Sequence, residues 1–302
     1  MGQHVIVVLG MHRSGTSLCA NLLHAMGVNM AADPGASPNN RRGHWERPRI
    51  NDLNDQVFAN FGRSWSDSAH ALALPPHWLD DPRTQSIRAA LAGWLAPQLA
   101  PAGAWGFKDP RTARLLPLWR QIMQDVGAPP RFIFCLRNPA QVARSLSARD
   151  QMAQAQAEYR WLVYNAQAIA DLGADPVCVI PYEHWFTQPA ETTALLAGWV
   201  ARPALPPHAL AALIDPNLRH DAPAEPARPL AARLHRLILC AAAANTFDTD
   251  LRGFCACLAE FEQQVQPLLV ETEVLRASVA DQNRVIRDLN AAIRHLRQGA
   301  VT

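Results

Sequence analysis

The sequence predicts an α/β fold, a parallel β-sheet flanked by helices, with a helical extension at the C-terminal end. Three observations predict it. Short β-branched and aromatic runs at 5–9, 131–136 and 177–180 alternate with longer stretches of helical spacing, the pattern of a parallel sheet covered on both faces. The first run passes through a glycine-containing turn directly into a helix. From Leu268 onward, apolar residues recur at alternating intervals of four and three, as they do in a coiled coil.

Taken in order, VIVVL (5–9) is apolar and β-branched and reads as a buried strand. GMHRSGTS (10–17) then gathers glycines, hydroxyls and an arginine, after which Leu18, Leu22, Leu23 and Met26 share one helical face. Strand, turn and helix make an anion cradle from Gly10, Arg13, Ser14, Gly15, Thr16 and Ser17. Backbone amides point into such a turn, and the helix adds its positive dipole end. The loop fits G-x-x-x-x-G, but Thr16 stands where a nucleotide-hydrolysing loop carries its lysine. A magnesium-assisted clamp on β- and γ-phosphates is therefore poorly supported, and Arg13 is the cation within the loop.

Residues 31–50 form a polar loop ending in RRGHWERPRI, followed by helices at 51–61 and 83–99 with irregular chain between them. WGFKDPRT (105–112) is a strand-like approach to a charged turn. Residues 115–126 read as a helix, with Pro117 in its first turn, where proline is tolerated. RFIFCL (131–136) is a second buried strand running into Arg137, and Asn138 and Pro139 start a helix as N-cap and first residue. A long helix over 151–172, a strand over 177–180 and a helix near 190–200 complete an α/β domain at 1–200. In such sheets the loops at the carboxyl ends of the strands converge on the ligand.

Residues 201–229 read as a proline-rich linker, and 230–266 as helix with a break near 248–253. The heptad series then covers 268–297, its a positions mostly β-branched and its d positions mostly leucine, which favours a parallel two-stranded coil. It predicts a parallel homodimer or a partner protein carrying a matching helix. The competing arrangement is a lone amphipathic helix folded back onto the domain.

With 302 residues, 49% of them hydrophobic, and a net charge of +2, the chain lacks a polyanion-binding footprint, so no nucleic-acid partner is expected. The start, MGQHVIVV, has no signal-peptide pattern. No apolar stretch approaches a membrane span, and a cytoplasmic location is expected. Six scattered cysteines suit reduced thiols. Cys255 and Cys257 lack a second pair, and no metal site is expected.

A strand ending in Arg137 brings a cation to the ligand edge, where a Walker B strand brings a carboxylate. Ser145, eight residues on, lies about two helical turns away, and arginine with a hydroxyl suits a phosphate monoester. The loop GMHRSGTS and the R-x-P-x-x-x-x-x-S spacing from Arg137 together resemble the sulfotransferases that use 3′-phosphoadenosine 5′-phosphosulfate (PAPS). The resemblance covers residues 4–200. It implies a P-loop NTPase-like sulfotransferase fold, PAPS as co-substrate, the first loop on the phosphosulfate, and Arg137 with Ser145 on the 3′-phosphate. PYEHWFTQPAE (181–191) is similar to the family segment Y-E-D-L-x-x-x-P, which implies a contact of Tyr182 with adenine; a packed tyrosine at the sheet edge is the competing reading. The glycine- and lysine-rich C-terminal phosphate segment of the cytosolic branch is absent, and Arg13 replaces its loop lysine. Both departures point to the bacterial and carbohydrate-type branch.

The same resemblance nominates chemistry. Lys108 in FKDPR is similar to a lysine that faces donor and acceptor, with a salt bridge to Asp109 or another carboxylate as the competing role. Glu46 in GHWE matches the position of a catalytic base, His44 is the second candidate, and Arg111 orients an anion. Glu46, Lys108 and Arg111 would line the acceptor side. His12 is expected to face a neighbouring loop. The implied reaction is metal-independent sulfuryl transfer to a hydroxyl of a carbohydrate or glycolipid; the tryptophans between 45 and 119 offer a sugar-stacking surface, although core packing accounts for most of them. The alternatives are a small-molecule kinase using magnesium and ATP, and a non-catalytic sulfotransferase-like scaffold.

Overall fold

The computed structural model describes residues 4–31, 43–65, 71–99, 103–173, 175–200, 205–218, 227–244 and 247–299, without the side chains of 269, 273, 276, 277 and 292–299. Parts of three expected segments, 32–42, 66–70, and 201–204 with 219–226, lie outside the described residues, as do the side chains of the last heptad positions, 293 and 296.

Four parallel strands form the sheet: β1 (Val5–Leu9), β2 (Trp105–Lys108), β3 (Pro130–Leu136) and β4 (Val177–Pro181), in the order β2-β1-β3-β4. The strand-like approach within 105–112 is thus an edge strand over its first four residues, with Val5 opposite Trp105 and Val8 opposite Lys108. On the other side of β1, Leu9 pairs with Phe134, and beyond it Leu136 pairs with Pro181. The chain leaves β1 for β2 on one side and returns to β3 on the other. The crevice between the carboxyl ends of β1 and β3 is therefore the topological switch point, where open α/β sheets bind ligands.

Side-chain alternation fills two cores. Val5, Val7, Leu9, Phe132, Phe134 and Leu136 face one, and Ile6, Val8, Ile133 and Cys135 face the other. Helix α1 (Thr16–Ala25) covers the second face through Cys19, Leu22, Leu23 and Met26. The first face carries α2 (Pro48–Asn60), α3 (Pro82–Leu99), α4 (Leu116–Asp125), α5 (Pro139–Asp150) and α6 (Gln154–Leu172). Trp105 and Trp119, among the tryptophans proposed for sugar stacking, are core residues about 1–2% exposed.

Helices α7 (His184–Thr187), α8 (Pro189–Ala197) and α9 (Pro207–Ala211) follow β4, so the described part of the proline-rich stretch includes a short helix. Helix α10 (Pro229–Ala244) packs Ala231, Leu234 and Ile238 into the first core. Helix α11 then runs unbroken from Thr249 to Gly299, through Gly253 and Pro267. The helical break therefore falls before Thr249 and not at the glycine.

Candidate active site

The loop between β1 and α1 carries the backbone features an anion cradle needs. Gly10 has φ 136°, and a Cβ there would sit 2.5 Å from the Cys135 carbonyl oxygen, so β3 approaches too closely for any side chain. Arg13 and Gly15 hold left-handed conformations, φ 69° and 86°. Gly15 is the N-cap of α1, and no side chain caps that helix. The first-turn amides of a helix have no partner within the helix, and the first turn of α1 starts at Thr16, directly after the loop. No acidic residue occupies that turn. Ser14 is 1% exposed, and its buried Oγ has no hydrogen-bond partner. An uncapped helix start and an orphaned buried hydroxyl fit an anionic oxygen at the same place.

The head of α5 is built differently. Asn138 Oδ1 accepts from the amides of Ala140 (3.0 Å) and Gln141 (3.4 Å), so this helix caps itself as the sequence predicts. Its contribution to the crevice is side chains. Arg137, 4% exposed, donates from Nη1 to the Arg13 carbonyl at 3.1 Å and from Nε to Gln141 Oε1 at 3.2 Å. Arg13 Nε donates to Ser145 Oγ at 2.8 Å. Two motifs about 130 residues apart are therefore one cluster, in which Ser145 is bonded to the loop arginine. Burial, followed by repulsion from Arg149 and Arg137, lowers the pKa of Arg13. Like charges crowded in this way favour an anion between them.

Tyr182 closes the cluster from β4. It is 5% exposed, lies under the Arg137 guanidinium at 4.0 Å from its ring centroid, and would touch a Cβ at Gly15 at 2.7 Å. Its amide donates to the Leu136 carbonyl at 2.6 Å. The geometry is that of a packed ring bracing both arginine and loop. His12 faces Trp65 from the neighbouring loop, their rings 4.2 Å apart.

On the β2 side, Lys108 and Glu46 meet. Lys108 Nζ lies 2.5 Å from Glu46 Oε1, with the lysine 2% exposed and the glutamate 18%. Asn51 Nδ2 donates to Glu46 Oε2 at 2.8 Å. Burial raises the pKa of Glu46, but Lys108, the Asn51 hydrogen bond and Arg111 outweigh it, and the net shift is downward. Glu46 is held as an ionised carboxylate. The pKa of His44 is lowered, first by burial and then by Lys108, which favours neutral imidazole. Its carbonyl accepts from Ser17 Oγ at 3.4 Å, which places the 43–47 segment beside the anion loop.

Asp109 is not the lysine's partner. Adjacent residues of an extended chain point to opposite faces, and fully buried Asp109 accepts instead from Asn54 Nδ2 at 2.8 Å and Arg111 Nη1 at 2.9 Å. Arg111 also pairs with Asp55 at 2.6 Å, so it is committed to carboxylates and acts on Glu46 through its charge. Sequence reasoning overlooked Asn51, Gln141, Arg149 and Trp161, whose Nε1 donates to the Arg137 carbonyl at 3.0 Å. Asn51, Gln141 and Trp161 each contribute through one contact with a residue of the cluster and Arg149 through its charge on Arg13, and no short motif marks any of them.

Residues 5–207 match the sequence model described as the sulfotransferase family. The structure is similar to the sulfotransferase domain of the Synechococcus PCC 7002 olefin synthase, with 18% identity and a TM-score of 0.42, covering 86% of this chain and 96% of that one. It is also similar to the sulfotransferase domain from the curacin biosynthetic pathway, with 18% identity and a TM-score of 0.41, covering 83% of this chain and 89% of that one. No curated protein sequence matches the chain.

Proposed function

The chain belongs to the sulfotransferase family, and we propose that it transfers the sulfuryl group of PAPS to a hydroxyl, directly and in line, with a carbohydrate or glycolipid as the acceptor class. The observation that carries this reading is the single cationic cluster at the switch point, in which Arg137 holds the Arg13 carbonyl and Arg13 holds Ser145. Beside it lies an ion pair between a buried lysine and a carboxylate.

In this reading the amides at the start of α1, Ser14 Oγ and Arg13 bind the 5′-phosphosulfate, and Arg137 with Ser145 binds the 3′-phosphate. Tyr182 holds Arg137 and Gly15 in place at the adenine end. Glu46 takes the acceptor's proton as its oxygen bonds to sulfur. The bond from sulfur to the bridging oxygen breaks, and its electron pair stays on the leaving 5′-phosphate. Lys108 and Arg13 offset that charge, a role preorganised cations perform well in a partly buried site. No metal is needed for a leaving group met by two cations. The acceptor class rests on the loop and segment resemblances.

Calorimetric titration with 3′-phosphoadenosine 5′-phosphate, in the presence of a chelator, tests the donor site. Micromolar or tighter binding is expected, with weaker binding of ATP and magnesium. Preference for magnesium-ATP would overturn the reading in favour of a kinase, and binding of neither would favour a scaffold.

Gly15→Ala is a sharper local test. A side chain at φ 86° meets backbone strain, and its Cβ falls 2.7 Å from the Tyr182 ring. Strain of about 1–3 kcal/mol placed inside the cradle should weaken bisphosphate binding roughly 10- to 100-fold. Unchanged affinity would show that the Gly15–Tyr182 contact does not shape the cradle.

A further inference from the structure

The distal part of α11 presents an apolar stripe that the domain leaves uncovered. Gln266 Nε2 still donates to the Ala73 carbonyl at 3.0 Å. Beyond it, every described side chain from 267 to 290 is exposed. Leu268, Leu275, Val279, Ile286 and Leu289, all on the heptad series, are 53–63% exposed. The helix therefore does not fold back onto the domain in this region. Such aliphatic side chains gain nothing from tertiary packing while the helix stands alone, and packing of an amphipathic face is where most helical stability in proteins comes from.

We propose that a second copy of this chain covers the stripe, in a parallel, in-register coiled coil over residues 268–296. Two features select a second copy over an unrelated helix, and a third lets a polar residue enter the seam. Gln282 occupies a d position among aliphatic layers. In-register parallel pairing sets it against its own copy, where the two amides can bond to each other. An antiparallel pairing would set it against an aliphatic a residue and bury an unpaired amide, the arrangement a single polar core residue selects against. Glu271 falls at a g position and Arg276 at the following e position, the two sites that face each other across a parallel dimer, and the sequence gives them opposite charges. Thr272, a polar residue at an a position, donates its hydroxyl to the Leu268 carbonyl of its own helix at 2.8 Å. It can enter a dry seam without leaving an unpaired donor.

Equilibrium sedimentation of the full chain at micromolar concentration is expected to give twice the mass of one chain. Leu275→Asp combined with Ile286→Asp alters only exposed positions and should raise the dimer dissociation constant by roughly 100-fold or more. That variant should sediment as a single chain and keep its affinity for the adenosine bisphosphate. Single-chain mass for the native protein, or double mass for the variant, would overturn the proposal. The register is read with Gln282→Cys after the exposed thiols Cys240 and Cys257 are changed to serine. Oxidation should link the copies nearly completely, and absence of the link would overturn parallel pairing. The stripe lies apart from the donor site, so these results stand independently of the sulfuryl-transfer reading.

Discussion

Arg137→Ala is expected to weaken binding of 3′-phosphoadenosine 5′-phosphate by about 100-fold or more, measured by metal-free calorimetry. Arg137 is 4% exposed, and a hydrogen bond to a charged group contributes about 1.5–3 kcal/mol. A fork-shaped donor offers two such bonds to a phosphate. Part of the loss is indirect, because Arg137 also holds the Arg13 carbonyl and lies over Tyr182. Arg137→Lys separates the two contributions. It keeps a positive charge but supplies neither the planar fork nor its fixed stacking, so it should recover only part of the affinity. Thermal unfolding of both variants shows whether the sheet edge survives. Affinity within threefold of the native value in a folded Arg137→Ala protein would remove the 3′-phosphate from this site.

Glu46→Gln should lower kcat by about 10²–10⁴-fold, the usual contribution of general-base catalysis. Bisphosphate affinity should change little, since the carboxylate lies on the acceptor side with Lys108 and Asn51. The native pH profile carries further information. The folded-state pKa of Glu46 is lowered, so the base stays ionised from neutral pH down past the ordinary glutamate value of about 4.3. The acid limb of kcat/KM is therefore expected below that value. A limb in the histidine range that persists in Glu46→Gln would assign the proton to His44. The same shift bears on stability. A depressed carboxyl pKa stabilises the fold above the unfolded-state value, and that contribution is lost as the pH falls through the folded-state value. Acid unfolding of Glu46→Gln should lack this component, while the native protein loses it at low pH.

The legible part of the site was the part built from neighbours in sequence. A β-branched run, a glycine turn and a helical face identify β1, the loop and α1, because strand and helix periods and positive-φ turns are local properties of the chain. Asn138 and Pro139 announced a capped helix for the same reason, and the cap is present. Family motifs brought Arg137 and Ser145 forward as one phosphate-binding pair and Glu46 and Lys108 as separate candidates, without pairing Ser145 with Arg13 or Lys108 with Glu46.

Contacts between distant residues were not legible. Lys108 and Glu46 are separated by 62 positions and Arg13 and Ser145 by 132. No periodicity encodes either pair. They meet because β2 and β3 flank β1 and bring their carboxyl ends to one crevice. That strand order results from burying both faces of the sheet at once, which no local segment specifies. Asp109 makes the point in reverse: the residue next to Lys108 in sequence is turned away from it by strand alternation. The sequence by itself determined the elements, the loop chemistry and the heptad stripe. Only the tertiary structure decided that the two anion motifs form one cluster, that the buried lysine pairs with the candidate base, and that the stripe is left exposed, because each depends on packing between segments far apart in the chain.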